Sequence, residues 1–314
     1  MENQTFREDV LLLEGLKVSQ RSSVPAFVLL LLVYVFVMLT NISLVVLIFT
    51  SRTLRQPMYL LSCNLSVNDI IGATSVTPYV LRHVFTPHSE RYIRYTDCVV
   101  QAFCIHLYAN ASHTVLMIMA FDRCVAICNP LRYATVMTNR KVVTLSVAAW
   151  AAAFVGVTVL LGLSMRLTRC RRVIPNPYCD NASLFNLSCE SVLISNVYGL
   201  VFTAVILGSS IVSITLTYLR IAAVCVRSKN KAMNRRALQT CSTHLAVYVF
   251  LLASCFIVVI LHRFPKLVDH RKVAALVIQV NLPAFNTVIY GLQLREIRKR
   301  IIAVFHSRKV AQIK

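Results

Sequence analysis

The sequence has few charged residues and few glycines. Only 14% of its 314 residues are Asp, Glu, Lys or Arg, and 57% are hydrophobic, whereas about 25% of a typical soluble domain is charged. Seven glycines are too few for a collagen-like or low-complexity chain. The mean hydropathy of +0.67 disfavours a soluble enzyme of this length. The composition therefore predicts a protein that crosses a membrane several times.

The sequence also lacks catalytic and nucleotide-binding motifs. It contains no G-x-x-x-x-G-K-[ST], no H-E-x-x-H and no G-x-S-x-G. We therefore predict no enzyme activity, no catalytic residues and no metal-ligand cluster. The net charge of +21 could suggest a nucleic-acid partner, but the basic residues lie between long apolar blocks instead of on one face. No nucleic acid is expected.

Seven apolar windows are long enough to cross a bilayer, which takes about 20 residues of helix. No internal repeat of the kind seen in many transporters is visible. The sequence predicts an all-α membrane protein with a seven-helix bundle. The windows are Pro25–Thr50, Met58–Leu81, Cys98–Phe121, Val142–Leu163, Val192–Val224, Ala237–Leu261 and Val273–Leu292.

The distribution of charge predicts the orientation of these spans. With the N-terminus outside, the cytoplasmic pieces carry most of the 33 Lys and Arg residues and only two acids, Asp122 and Glu296. Basic loops stay on the cytoplasmic side, so we expect the N-terminus outside and the C-terminus inside. The predicted parts are an outer segment (1–24), the seven-helix membrane domain (25–292) and a cytoplasmic tail (293–314). For that tail the sequence predicts a basic amphipathic eighth helix on the anionic inner leaflet, at Arg295–Ile301.

Cysteines and glycosylation sequons agree with this orientation. Four cysteines fall on the predicted outer side, where disulfides form, and four cysteines allow three pairings. Three N-x-[ST] sequons lie on the same side. The cysteines are Cys98, Cys170, Cys179 and Cys189, and the sequon asparagines are Asn3, Asn181 and Asn186.

Asp69 is the one acid predicted deep inside a span. A lone carboxylate is costly there, so it must be paired, protonated or bound to an ion. One interpretation is a sodium or switch site formed with Asn286 and Ser112; the other is a hydrogen-bonded acid that holds helices together. No other cofactor is expected.

Two further groups have alternative interpretations. Asp122 and Arg123 stand at the cytoplasmic end of the third span, where they form either a switch that opens on activation or ordinary interfacial residues. His106 and His113 share a helix face, so they either line a cavity or pack inside the bundle.

Several motifs together resemble those of rhodopsin-like (class A) G-protein-coupled receptors, and within them the odorant receptors, most of all those of bony fish. Residues 119–133, MAFDRCVAICNPLRY, are similar to the family pattern MAYDRYVAICxPLRY. Residues 236–245, RALQTCSTHL, resemble KAxxTCxSHL. The match extends from about Val24 to Arg300 and includes the three-cysteine second outer loop.

The resemblance implies roles for particular residues. It implies the disulfides Cys98–Cys179 and Cys170–Cys189. It also implies a ligand pocket among the outer halves of the helices and, at their inner ends, a switch that admits a G protein. The pocket residues are His106, Ala109, Asn110, Val201, Leu252 and Cys255. The switch residues are Asp122, Arg123, Tyr218, His244, Asn286 and Tyr290.

This chain departs from the family pattern at several positions. Phe121 and Cys124 replace tyrosines, and Thr287 replaces the proline of Asn-Pro-x-x-Tyr, so we expect less bending there. Asn176 stands where many relatives have histidine, so a metal site proposed for that loop does not transfer.

The expected function is an odorant receptor of the plasma membrane, in the cilia of olfactory neurons. It would bind a small, water-soluble odorant and activate the olfactory stimulatory G protein, which raises cyclic AMP. The surrounding lipids are its other partners. Three alternatives remain open: a non-olfactory receptor for a peptide or lipid, a receptor that does not signal, and an ion-coupled transporter or channel that uses Asp69.

Overall fold

Seven long helices form a bundle in the computed structural model, which describes residues 10–15, 20–51, 56–228, 231–261, 264 and 267–293. Each coincides with one predicted span, and the ends differ by no more than about two helical turns. The seven-transmembrane fold is therefore confirmed. The helices are α1 (Gln20–Thr50), α2 (Pro57–Val84), α3 (Tyr95–Cys128), α4 (Asn139–Met165), α5 (Leu193–Arg227), α6 (Lys231–Leu261) and α7 (Val268–Gln293).

Local signals explain several helix starts. Pro57 occupies the first turn of α2, where its missing N–H would have no partner in any case. Thr138 caps α4, since its side chain accepts a hydrogen bond from the Lys141 N–H.

All the long helices except α2 are apolar enough to cross a membrane by length and composition. The buried face of α2 is more polar, because it includes Asn68 and Asp69.

The third helix lies at the centre of the bundle. More than half of its most apolar stretch is buried, against about a fifth for α1. Its side chains Tyr108, Val115 and Leu116 form the main core with residues from α2, α5, α6 and α7. Large apolar side chains such as Leu32 and Leu39 of α1 remain exposed on the outside, as expected for a bundle whose outer surface contacts lipid.

Three short strands form a small sheet at one end of the bundle. The strand β1 (Val10–Leu13) lies between β2 (Tyr92–Arg94) and β3 (Val173–Ile174). It is antiparallel to β2 and parallel to β3. Leu11 and Leu13 point into the protein and are almost completely buried. The sequence analysis did not predict this sheet, because four residues are too few to show a strand pattern.

The chain turns sharply after β1. Glu14 forms an ion pair with Lys272 of α7, with 3.3 Å between Oε2 and Nζ. Gly15 adopts the left-handed conformation (φ 63°), and a Cβ there would lie 2.7 Å from Nη1 of Arg91. The backbone angle therefore favours glycine, whereas the end of the Arg91 side chain could move to make room for a Cβ. The N-terminal segment is thus fixed to the end of the bundle.

Some predicted features lie outside the described residues. They include the eighth helix, the sequon at Asn3 and the side chain of Tyr290. The first long helix begins at Gln20 and the last ends at Gln293; the division into outer segment, bundle and tail stays a prediction.

A close helix contact gives a test of this packing. A Cβ on Gly72 of α2 would lie 2.6 Å from the ring of Tyr108 in α3, so Gly72→Ala should destabilise the protein by about 1–3 kcal/mol through overpacking. Gly208→Ala is the control, because nothing lies within 4 Å of a Cβ there. We expect the control to be neutral or stabilising. Thermal unfolding of the purified proteins measures both, and equal midpoints for the two variants would contradict the packing.

Candidate functional site

A cavity lies inside the bundle at the end that carries both disulfides, which we call the disulfide end. Its volume is about 190 Å³, and α3, α5, α6, α7 and the segment 178–180 surround it. We call it the main cavity. Most of its wall is apolar, with a few polar side chains, an arrangement typical of small-molecule sites. Those polar side chains are His106, Asn110, His113, Asp180, Thr203, Ser254 and Gln279.

The structure brings four of the predicted pocket residues to this cavity: His106, Ala109, Asn110 and Cys255. Val201 is not among them, because its side chain is 56% exposed on the outer surface of α5. Leu252 packs against the main core instead of lining the cavity. Adjacent helix positions differ by about 100°, so a small error in register moves a side chain off the cavity. Thr203 and Ser254, which do line it, were not predicted.

His106 connects the cavity to the segment above it. Its Nε2 accepts a hydrogen bond from the backbone N–H of Asn181 (3.1 Å). A neutral imidazole that accepts at Nε2 carries its proton on Nδ1. His106 therefore has a donor left for another group.

His113 lies deeper, on the same face of α3. Its Nδ1 is 3.4 Å from the Ser210 hydroxyl, and its Nε2 is 3.5 Å from the Cys255 thiol. The Ser210 hydroxyl also contacts Tyr248, 3.0 Å away. Both histidines thus line the cavity, as one of the two interpretations expected, and both are part of its hydrogen-bonding wall.

The segment between α4 and α5 covers the cavity and is firmly attached. The disulfides Cys98–Cys179 and Cys170–Cys189 are both present. Gln101 of α3 accepts a hydrogen bond from the Cys179 N–H (2.7 Å). Burial, followed by the negative charge of Asp180, raises the pKa of Tyr178 far above its ordinary value, so its hydroxyl stays protonated.

Three asparagines of this segment are singled out by the sequence. Asn181 is buried, and its Oδ1 accepts a hydrogen bond from Ser164; its role as a glycan acceptor stays a prediction. Asn186 is exposed and remains a predicted acceptor. Asn176 contacts Ser183 and Arg271. Among the described residues, no three or more His, Cys, Asp or Glu side chains are placed to hold a metal.

A second cavity adjoins the first. It has a volume of about 420 Å³ and lies between α4, α5 and the covering segment. The two cavities share five lining residues: His106, Asp180, Thr203, Val258 and Val259. They are therefore neighbouring parts of one hollow region at the disulfide end.

Asp69 lies in a buried polar cluster below the main cavity. Asn286 of α7 donates a hydrogen bond to its carboxylate (3.0 Å). Ser112, predicted beside Asp69, instead accepts a hydrogen bond from Asn68 and donates to the Tyr108 carbonyl. The predicted pair of Asp69 and Asn286 is present, and the predicted contact with Ser112 is replaced by one to the neighbouring asparagine.

Thr287 has a partner that a proline could not have. Its hydroxyl accepts a hydrogen bond from Asn41 of α1 (2.7 Å) and donates to the Pro283 carbonyl (2.8 Å). Pro283 lies inside α7 and lacks a backbone donor. The helix therefore keeps a proline one turn before the departure at Thr287.

The switch residues cluster at the opposite end, which we call the Arg123 end. Asp122 is buried, pairs with Arg123 and accepts a hydrogen bond from the Tyr133 hydroxyl (2.8 Å). Burial and then the charge of Asp122 raise the pKa of Tyr133 far above its ordinary value, so this donor is retained. The Tyr218 hydroxyl lies 2.5 Å from Nδ1 of His244. The space that Arg123 and His244 both line is only about 10 Å³, so this end is closed.

Comparisons with known proteins agree with this architecture. The family model described as olfactory receptor matches residues 30–308. The chain is 31% identical to olfactory receptor 52N4 of Homo sapiens over 280 residues, which are 88% of this chain and 87% of that receptor. It is 33% identical to human olfactory receptor 51E1, over 87% of this chain and 86% of the relative.

Family membership favours a receptor over a transporter or channel. Olfactory receptors are rhodopsin-like G-protein-coupled receptors and not enzymes. A cavity at one end and a closed ionic cluster at the other, in a seven-helix membrane bundle, are consistent with that class. The chain belongs to the olfactory receptor family.

Proposed function

We propose that this protein detects a small odorant in the main cavity and activates the stimulatory olfactory G protein, which raises cyclic AMP. The disulfide end faces outward and the Arg123 end faces the cytoplasm of olfactory cilia. The observation that carries this proposal is the placement of cavity residues and switch residues on one buried helix, α3. His106 and Arg123 are 17 residues apart, or about 25 Å along the helix.

The cavity favours a ligand with an apolar body and a few hydrogen-bonding atoms. Val258 and Leu282 contribute apolar wall, and Asn110, Ser254 and the free donor of His106 contribute polar contacts. A small molecule with both kinds of group replaces water in the cavity without leaving its own polar atoms unpaired. Water-soluble odorants have this character.

Signalling requires that the Arg123 end opens. In the closed form, Asp122 holds Arg123, and Tyr218 contacts His244 of α6. A ligand that binds the open form more tightly than the closed form shifts the equilibrium toward the open form. Ser254 and Cys255 of α6 line the main cavity, so ligand contacts act on the helix that must move. The G-protein α-subunit then occupies the opened end.

Asp69 has suitable neighbours for a sodium ion. The side-chain oxygens Oδ1 of Asn68 and Asn286 are buried and have no hydrogen-bond partner in the described part of the chain. Carboxylate and amide oxygens are the ligands that hard cations prefer. Asp69, Asn68 and Asn286 would therefore hold the ion, whose positive charge offsets the buried carboxylate and favours the closed form.

The primary test measures cyclic AMP in cells that express the receptor with the olfactory stimulatory G protein. Pools of water-soluble odorants (amino acids, bile acids, amines and steroids) should produce a rise with at least one pool. Arg123→Ala should abolish the rise at equal surface expression, because the α-subunit loses its contact with α3. An odorant-evoked current that persists without G protein would contradict the proposal and favour a channel.

The second test locates the ligand. Asn110→Ala should raise the concentration of the active odorant that gives a half-maximal response by about tenfold, the cost of one lost hydrogen bond. Val201→Ala is the matched control, because Val201 is exposed on the outer surface, and it should leave the response unchanged. If Val201→Ala had the larger effect, the ligand would not be in the main cavity.

The third test concerns sodium. Thermal unfolding of the purified receptor should shift to higher temperature in NaCl relative to choline chloride at the same ionic strength. Asp69→Asn should remove the difference, because it removes the only charged ligand of the proposed site. Equal unfolding temperatures in the two salts, or a difference that persists in Asp69→Asn, would exclude the ion site.

A further inference from the structure

A separate cavity lies between α1, α2 and α7 at the disulfide end, below the turn that follows β1. Its volume is about 220 Å³. We call it the lateral cavity. Its wall is almost entirely apolar, and Leu30 of α1, Val80 of α2 and Leu276 of α7 line its inner side. No residue assigned to odorant binding or to the switch contributes to it.

The lateral cavity opens toward the lipid. Leu29, Val273 and Val277 line it and are 63%, 51% and 52% exposed. Exposed apolar side chains on the outer face of a membrane bundle contact hydrocarbon chains. A molecule dissolved in the adjacent leaflet can therefore enter between α1 and α7 without passing through the main cavity.

One side of the lateral cavity is polar. His83 of α2 lines it, and both of its ring nitrogens are buried without a hydrogen-bond partner in the described part of the chain. Leaving a buried polar group unpaired costs about 1–3 kcal/mol, so such a group calls for an explanation. The described contacts of the chain provide none. A ligand group that bonds to the imidazole would provide one.

A positive charge lies next to His83. Arg91 also lines the cavity, although only 5% of the residue is exposed. It donates hydrogen bonds to the carbonyls of Thr86 (2.9 Å) and Glu14 (3.1 Å). Arg82 and Arg91 are the charged groups that act on the imidazole, so this side of the cavity favours an anion.

We infer that the lateral cavity binds a long-chain alkyl carboxylate from the membrane, with its chain between α1 and α7 and its carboxylate at His83 and Arg91. The apolar mouth, the unpaired imidazole and the adjacent guanidinium each match one part of such a molecule. A short acid from solution has the same head group but buries little hydrocarbon. Chain length therefore distinguishes a membrane source from a solution source.

Binding in the lateral cavity would affect the main cavity through α7. Leu276 and Val277 line the lateral cavity, whereas Ala275, Ile278 and Gln279 line the main cavity. One helix is thus the wall between the two. An occupant that alters the position of α7 changes odorant affinity, and an odorant changes the affinity of the occupant by the same factor.

The test uses the full-length receptor in phosphatidylcholine nanodiscs, with a photoreactive 16-carbon acid that carries a diazirine and an alkyne. Peptides that contain Leu29, Val80 or Val277 should be labelled. Excess palmitate should abolish the labelling, whereas hexadecanol, which has the same chain without the charge, should not. Competition by hexadecanol as strong as that by palmitate would overturn the role of the carboxylate. Equal competition by hexanoate would overturn the membrane source.

His83→Phe tests the polar contact without damaging the fold. The variant keeps an aromatic ring and removes two nitrogens that have no partner, so thermal stability should not fall. Labelling should fall at least fivefold. The matched control is His270→Phe, because His270 is exposed at the start of α7 and does not line the cavity. Unchanged labelling in His83→Phe would overturn the inference, and because no odorant or G protein is present, that result would leave the odorant proposal intact.

Discussion

Polar side chains inside the bundle are shielded from bulk water, and several of them in this chain bind one another. Asn41 contacts Thr287, Asn286 contacts Asp69, and Asn68 contacts Ser112. These pairs connect α1 with α7, α7 with α2, and α2 with α3. In lipid, an unpaired polar group costs several kcal/mol, so the pairs define which helices are neighbours. The polar α2, whose composition is the weakest evidence for a span, is placed by these contacts.

The pairing of buried polar groups also differs between the two ends of the molecule. At the disulfide end, the covering segment is held by two disulfides and by Gln101 and His106, and a hollow region remains beneath it with polar side chains on its wall. At the Arg123 end, Asp122 is fully occupied by Arg123 and Tyr133, and the remaining space is too small for more than a water molecule. A receptor needs this difference, because one end has to admit a ligand at rest and the other has to remain closed.

The sequence was sufficient to predict the seven spans, because long apolar windows carry that information. The pairing of the disulfides came from the resemblance to odorant receptors, since four outer cysteines alone allow three pairings. It did not predict which side chains line the main cavity. Val201 and Leu252 are apolar residues on the expected helices, yet a rotation of one position places them on lipid or in the core. Ser112 lies at the depth in the bundle that the sequence predicts, but its hydroxyl bonds to Asn68, the neighbour of Asp69 in the chain, instead of Asp69. Contacts between helices depend on rotation and tilt, which a single sequence does not encode in a readable pattern.

The departure from the family motif at Thr287 is another case in which the sequence alone does not reveal the local structure. The missing proline suggested a straighter helix, but Pro283 supplies a proline one turn earlier, and the Thr287 hydroxyl takes over a contact with α1. The loss of the motif proline is therefore accompanied by a new contact between α7 and α1.

The sheet formed by β1 also has a consequence for the order of assembly during synthesis. The strand β1 leaves the ribosome first, but its partners are residues 92–94 and 173–174. Four long helices precede β3 in the chain, so the sheet is completed only after those helices have been made. Until then, Leu11 and Leu13 lack Ile174 and the other apolar side chains of the covering segment that complete their cluster. Docking of β1 on the bundle is therefore completed late in synthesis. Misfolding of the segment between α4 and α5 would leave β1 undocked and exposed to proteases and chaperones.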